Sequence, residues 1–187
     1  GVDTMSLTAH KFYGLNGIGL LIKRRNLALE PLIHGGESTT IYRSGTPTVA
    51  LASSLACALD FAVTDLPGRV DHVAKLNAEL RAALSTYPLV RINSPEYAIP
   101  HVLNLSVRNV KGTVFQRELD AKGVCVSVKS ACSSDGLPSR AVFAVSRDRR
   151  NALSSWRISL SHLTTEDEIK AFLQAFDVCY RELTAVH

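Results

Sequence analysis

The sequence predicts an α/β protein in two parts joined by helices. Three features carry that prediction. Strand-like and helix-like runs alternate from residue 89 to 185, the pattern of a small α/β layer. The first 46 residues hold two short strand candidates followed by a long loop. Two helix-length runs lie between these regions and look like a bridge between two lobes. The expected division is residues 1–66, a linking helix at 67–88, and a small C-terminal α/β domain at 89–187 that carries a cysteine loop.

In chain order, residues 5–9 (MSLTA) and 17–23 (GIGLLIK) read as strands joined by a glycine-bounded turn at 14–17. Residues 34–46 (HGGESTTIYRSGT) carry glycines and hydroxyls with little apolar content. Long loops of this kind in compact domains are often functional. Thr46-Pro47 is expected to open a helix, because threonine can cap and proline suits the first helical position. Leu51, Leu55, Ala58 and Ala62 then fall at helical spacing, and Pro67-Gly68 is expected to break the run. A second helix places Val73, Leu76, Leu80 and Leu84 on one face and ends at Tyr87-Pro88. Strands are expected at 89–93, 101–107, 124–129 and 156–161, with helices at 113–122 and 165–185. The last helix opens on Thr165-Glu166-Asp167-Glu168, a capping-box sequence. Its apolar stripe is Ile169, Phe172, Leu173, Phe176, Tyr180 and Leu183.

Composition narrows the function classes. Hydrophobic residues make up 46% and charged residues 20%, an ordinary globular balance for a chain of 187 residues. The net charge of +4 is too mild to imply nucleic acid. Lys23-Arg24-Arg25 and Arg147-Asp148-Arg149-Arg150 read as solvated loops or as a surface for an acidic partner. No apolar run approaches the ~20 residues of a membrane helix. The four cysteines form no C-x-x-C pair, which argues against zinc, and their scatter fits a reducing cytoplasm better than a disulfide framework. The chain opens Gly1-Val2-Asp3 and its single methionine is Met5, so it is expected to be the C-terminal part of a longer polypeptide.

Three residues stand out chemically. Lys11, in LTAHKFYGLNGIG, follows a strand candidate and a histidine. A lysine becomes a nucleophile toward carbonyls when it is desolvated or set near positive charge; otherwise it is a solvated surface charge. Thr8, His10 and the backbone N–H groups of the following glycine-rich turn could bind a phosphate nearby. Cys132, in KSACSSDGLPSR, lies among small turn-forming residues, the accessible setting a reactive thiol needs. Cys57, Cys125 and Cys179 lie in helix and strand patterns and are expected to fill the core. Arg157 sits on a predicted strand between Trp156 and Ile158, so it is either paired in an internal salt bridge or turned toward a cleft. A planar guanidinium suits a carboxylate held by two hydrogen bonds.

Together these segments resemble the cysteine desulfurases of the NifS/IscS type, which are aminotransferase class V, fold-type I enzymes using pyridoxal phosphate. SLTAHKFYG with NGIG resembles their cofactor-lysine segment. HGG followed by RSGT resembles the next signature, SACSS the catalytic-cysteine segment, and RISLSHLTTEDEI the C-terminal arginine segment. The four blocks come in family order at about the family's spacing and span nearly the whole chain. The resemblance implies that residues 1–66 are the end of a fold-type I large domain that binds pyridoxal phosphate. It implies that Lys11 carries the cofactor and moves protons, and that Thr8 and His10 contact its phosphate. Thr46 would reach the phosphate of the other subunit in a homodimer. Arg157 would bind the carboxylate of L-cysteine. Cys132 would take the substrate's sulfur as a persulfide, releasing L-alanine, and pass it to a sulfur-acceptor protein. The acceptor stays open among iron–sulfur cluster assembly, tRNA thiolation and thiamine synthesis. The alternatives are a selenocysteine lyase or aminotransferase of the same class, or a non-catalytic dimerisation and scaffold domain.

The sequence departs from the family pattern in places. Gly14-Leu15-Asn16-Gly17 stands where Gly-Pro-Lys-Gly is usual, and Glu37 stands where many members have a third glycine. The family's N-terminal half carries the aspartate that pairs with the pyridine nitrogen and the residue that stacks on the ring. Neither has a counterpart here, so the chain by itself is expected to be inactive.

Overall fold

The computed structural model describes residues 1–36, 40–129 and 137–185. The chain divides into two compact units, Gly1–Leu66 and Pro67–His187.

In the first unit, strand β1 (Thr4–Thr8) pairs antiparallel with β2 (Gly19–Lys23), from Thr4 opposite Lys23 to Thr8 opposite Gly19. A short 3-10 turn, Ala9–Phe12, follows β1 and ends at Tyr13 in the left-handed region (φ 70). The turn closes when the Gly14 N–H donates to the Ala9 carbonyl at 2.9 Å. A Cβ at Gly14 would lie 2.8 Å from the Ala9 Cβ and 3.2 Å from the Ala58 Cβ, so only glycine lets the turn pass this close to helix α1 (Val49–Val63). Among the described residues, Ala9 and Leu55 are the buried apolar residues of this unit, while Met5, Leu21 and Ile22 on the two strands are exposed.

The helix starts differ from expectation. Helix α1 begins at Val49 rather than at Thr46-Pro47, with Thr48 in the cap position and no side-chain cap. Pro67 does not break a helix; it lies in the first turn of α2 (Leu66–Leu84), where a missing N–H is tolerated. The break falls at Thr64 and Asp65, and Asp65 takes φ 53.

The second unit is a three-stranded antiparallel sheet in the order β3-β4-β5, made of Val90–Ile92, Val102–Val107 and Ser155–Ser159. Its two faces differ because strand residues alternate. Leu103, Leu105, Val107, Trp156 and Ile158 point to one face and are buried. They meet Val73, Leu76, Leu80 and Leu84 of α2, Phe115 and Leu119 of α3 (Gly112–Asp120), and Ile169, Phe172 and Phe176 of α6 (Glu166–Thr184). At the centre Phe115 stacks on Trp156 with ring centroids 5.1 Å apart, and Phe176 lies 5.2 Å from Phe115. The helix set apart as a link thus contributes one face of this core. The expected capping box is present: the Glu168 N–H donates to Thr165 Oγ1 at 3.2 Å, and the Thr165 N–H to Glu168 Oε2 at 2.8 Å.

The other sheet face carries Asn104, Ser106, Ser155 and Arg157. Two short helices, α4 (Arg140–Ser146) and α5 (Arg149–Ser154), follow the cysteine-loop region, and α5 packs on β4 at this face. Both escaped the sequence analysis. Ser139 and Asp148 cap them, with Ser139 Oγ accepting from the Val142 N–H and Asp148 Oδ1 from the Asn151 N–H. Helix α4 buries no residue, so its composition gave no apolar stripe to detect. The expected strand at 124–129 is not one. It meets the sheet only at Ser127, paired with Arg157. Val124, Val126 and Val128 pack against the core, and that burial produced the alternation without a ladder.

Candidate functional site

Lys11 lies within the 3-10 turn and is exposed. Among the described residues no hydrogen bond or ion pair engages its ammonium. Beside it, Thr8 Oγ1 lies 3.1 Å from His10 Nδ1 and donates to the Ile18 carbonyl at 3.4 Å. The hydroxyl has one hydrogen. With it on Ile18, the imidazole is the donor in the Thr8–His10 contact. A free primary amine next to a hydroxyl and an imidazole is a donor set that fits an aldehyde bearing a phosphate. Thr46 lies in the loop of the same unit, exposed and just after Gly45 (φ 104), a left-handed position that favours glycine. Among the described residues no hydrogen bond brings Thr46 to Thr8, His10 or Lys11.

Arg157 lies in the second unit, on β5, half-buried. Its Nε donates to Ser159 Oγ at 3.2 Å. Among the described residues no carboxylate pairs with it. It lines a cavity of about 950 Å³ on the polar face of the sheet, together with Asn93, Asn104, Lys129, Pro138 and Ser139. Cys132 lies outside the described residues, as do Glu37 to Thr39. Lys129 and Ser139, from the two sides of the 130–136 segment, both reach the cavity wall.

The remaining cysteines do not behave alike. Cys57 and Cys125 are exposed, against the expectation that they fill the core. On α1 only Leu55 is buried, and the valines that flank Cys125 take the inward positions. Cys179 is fully buried, and desolvation, the largest cause, pushes its thiol above the ordinary value. A thiol held neutral and out of reach is a poor nucleophile.

The residue the sequence analysis missed is Asn104, opposite Arg157 in the β4–β5 register. A polar residue inside the apolar run VLNLSV was the available signal, since such a residue needs a partner or a cleft.

Comparison with known proteins gives one consistent picture. Residues 1–172 match the aminotransferase class-V family. The chain is 32% identical over its full length to a protein named cysteine desulfurase IscS from Dictyoglomus turgidum, of which it covers 48%. It is 35% identical to a protein of the same name from Vibrio cholerae, with 99% of the chain and 46% of that relative covered. Among solved structures, a NifS-like protein from Rickettsia africae superposes with a TM-score of 0.84 at 29% identity, covering 96% of this chain and 48% of that one. The chain therefore spans about half the length of the relatives it matches.

Proposed function

The chain belongs to the aminotransferase class-V family, and from that premise we propose that it is the cofactor-lysine and sulfur-transfer part of a pyridoxal-phosphate-dependent cysteine desulfurase. The complete enzyme would convert L-cysteine to L-alanine and pass sulfur to an acceptor protein. The relatives named cysteine desulfurase support the reaction class.

The observation that carries the reading is the cavity on the polar sheet face. Arg157 and both flanks of the Cys132 segment contribute to its wall. A cationic carboxylate receptor and a sulfur-accepting thiol belong to one substrate, so residues around both belong around one cavity.

Lys11 would hold pyridoxal phosphate, with Thr8 and His10 on its phosphate and Thr46 reaching the phosphate of a partner subunit in a homodimer. When bound, that cofactor supplies the electron sink for breaking the carbon–sulfur bond of the substrate. Among the described residues no carboxylate engages the Lys11 side chain, so it is open to the aldehyde of that cofactor. Arg157 would anchor the substrate carboxylate through its terminal nitrogens, its Nε being held by Ser159. Cys132 would take the sulfur as a persulfide and carry it out. A carrier on a loop suits that task, because the persulfide must leave one partner and meet the next. The reading places the enzyme in the cytoplasm.

Borohydride reduction in the presence of pyridoxal phosphate, followed by peptide mapping, tests the assignment in the enzyme that contains this chain. The cofactor mass is expected on Lys11 and is lost in Lys11→Ala. Label spread over other lysines would refute the role of Lys11. Persulfide trapped on Cys125 or Cys179 in place of Cys132 would refute the sulfur path.

A further inference from the structure

A chain of four buried or half-buried polar side chains underlies the cavity that Arg157 lines. Asn151 Nδ2 donates to Asn93 Oδ1 at 2.9 Å. Asn93 Nδ2 donates to Asn104 Oδ1 at 2.9 Å and to Ser106 Oγ at 2.8 Å. Ser106 Oγ donates to the Asn151 backbone carbonyl at 3.0 Å.

The direction of this chain is determined by its last link. A backbone carbonyl only accepts, so the single hydroxyl hydrogen of Ser106 is committed to Asn151. Ser106 must then accept from Asn93, which turns the Asn93 amide nitrogen toward both Ser106 and Asn104. Asn104 is left to accept with its oxygen. Its NH2 group is turned away from Asn93, and among the described residues no acceptor takes its hydrogens.

Asn104 stands directly opposite Arg157 in the β4–β5 pair, so their side chains leave the same face. Cβ atoms so related lie about 5 Å apart. Both residues line the same cavity. Nε of Arg157 is engaged by Ser159, and among the described residues no partner takes its terminal guanidinium nitrogens.

Resting on the reading of Arg157 as the carboxylate receptor, we propose that the Asn104 side-chain amide is a second donor to the same substrate carboxylate. The guanidinium supplies the charge. The amide supplies a fixed direction without adding charge, because its own oxygen is held by Asn93.

The test is side-chain NMR of the complete enzyme that contains this chain, titrated with three probes: L-alanine, propionate and ethylamine. L-alanine and propionate should shift the Asn104 amide and Arg157 Nε–H signals, and ethylamine, which lacks a carboxylate, should shift neither. Asn104→Ala should weaken L-alanine binding about tenfold, the loss of a hydrogen bond to a charged group. Asn104→Asp keeps the acceptor for Asn93 but sets a carboxylate opposite Arg157, so it should weaken L-alanine further. It serves where the alanine variant fails to fold. Binding lost in Arg157→Ala but unchanged in Asn104→Ala and Asn104→Asp overturns the role of Asn104 and leaves Arg157 standing. Binding unchanged in Arg157→Ala overturns the underlying reading as well, and so does the absence of any carboxylate-dependent shift.

Discussion

Ser106→Ala probes the hydrogen-bond chain at a residue that does not line the Arg157 cavity. Ser106 is 2% exposed and makes two hydrogen bonds, accepting from Asn93 at 2.8 Å and donating to the Asn151 carbonyl at 3.0 Å. Alanine removes both and adds no bulk. Asn93 keeps a partner in Asn104. The Asn151 carbonyl loses the hydroxyl that satisfied it. Two bonds at about 1 kcal/mol each, with one buried acceptor stranded, give a destabilisation of about 2 kcal/mol. With a urea m-value of roughly 1.5 kcal/mol/M for a unit of this size, the midpoint should fall by about 1 M. Trp156 is the only tryptophan, is fully buried, and belongs to the second unit. Its fluorescence therefore follows the unfolding of that unit alone. A midpoint shift under about 0.3 M at unchanged m would show that the Ser106 bonds are not what satisfies this buried layer. The same variant has a second readout. Without the hydroxyl, the Asn93 amide loses the acceptor that fixes its nitrogen and is oriented only by Asn151 Nδ2 on its oxygen, so L-alanine binding should weaken severalfold. Full affinity in a destabilised Ser106→Ala protein would sink the argument that Ser106 sets the direction of the Asn104 amide.

Other consequences follow from the core and the caps. Phe176 is fully buried against Tyr87, Phe115, Trp156, Phe172 and Tyr180, so Phe176→Ala should cost about 4 kcal/mol by the same urea assay. Thr165→Ala removes the side-chain half of the α6 capping box, the Oγ1 that accepts from the Glu168 N–H, and should lower the melting temperature of the second unit by about 4 °C, as followed by circular dichroism. Burial raises the Cys179 thiol above its ordinary 9.0, so the fold favours the neutral form. That stability is complete below the unfolded value and is lost as pH rises through the folded one. Tyr87 is raised too, chiefly by desolvation, and adds to the same alkaline loss. Urea midpoints measured upward from neutral pH should therefore fall less steeply in Cys179→Ala than in the parent, and parallel curves would argue against the burial effect.

What the sequence disclosed and what it hid both have physical reasons. Helix α6 was legible because its signals are local: a capping box, then an apolar stripe at helical spacing. Strands β4 and β5 were legible because Leu103, Leu105, Val107, Trp156 and Ile158 share one buried face. The segment at 124–129 carries the same alternation and is not a strand, since periodicity reports which side chains are buried and not which backbones pair. Helices α4 and α5 hid for the converse reason: their caps are local, but α4 buries nothing to mark a face. The candidate site divides along the same line. Lys11 and Arg157 stood out as candidates from residue type and setting. Asn104 was visible as a polar residue in an apolar strand, and the alternation of Val102, Asn104 and Ser106 against Leu103, Leu105 and Val107 already marked a second face. Which end of its amide meets the cavity was beyond local pattern. That depends on Asn93, which depends in turn on Asn151, 58 residues further along the chain. The direction of a donor is a property of the folded network, so a site residue of this kind is recognised by following hydrogens from a group that can only accept.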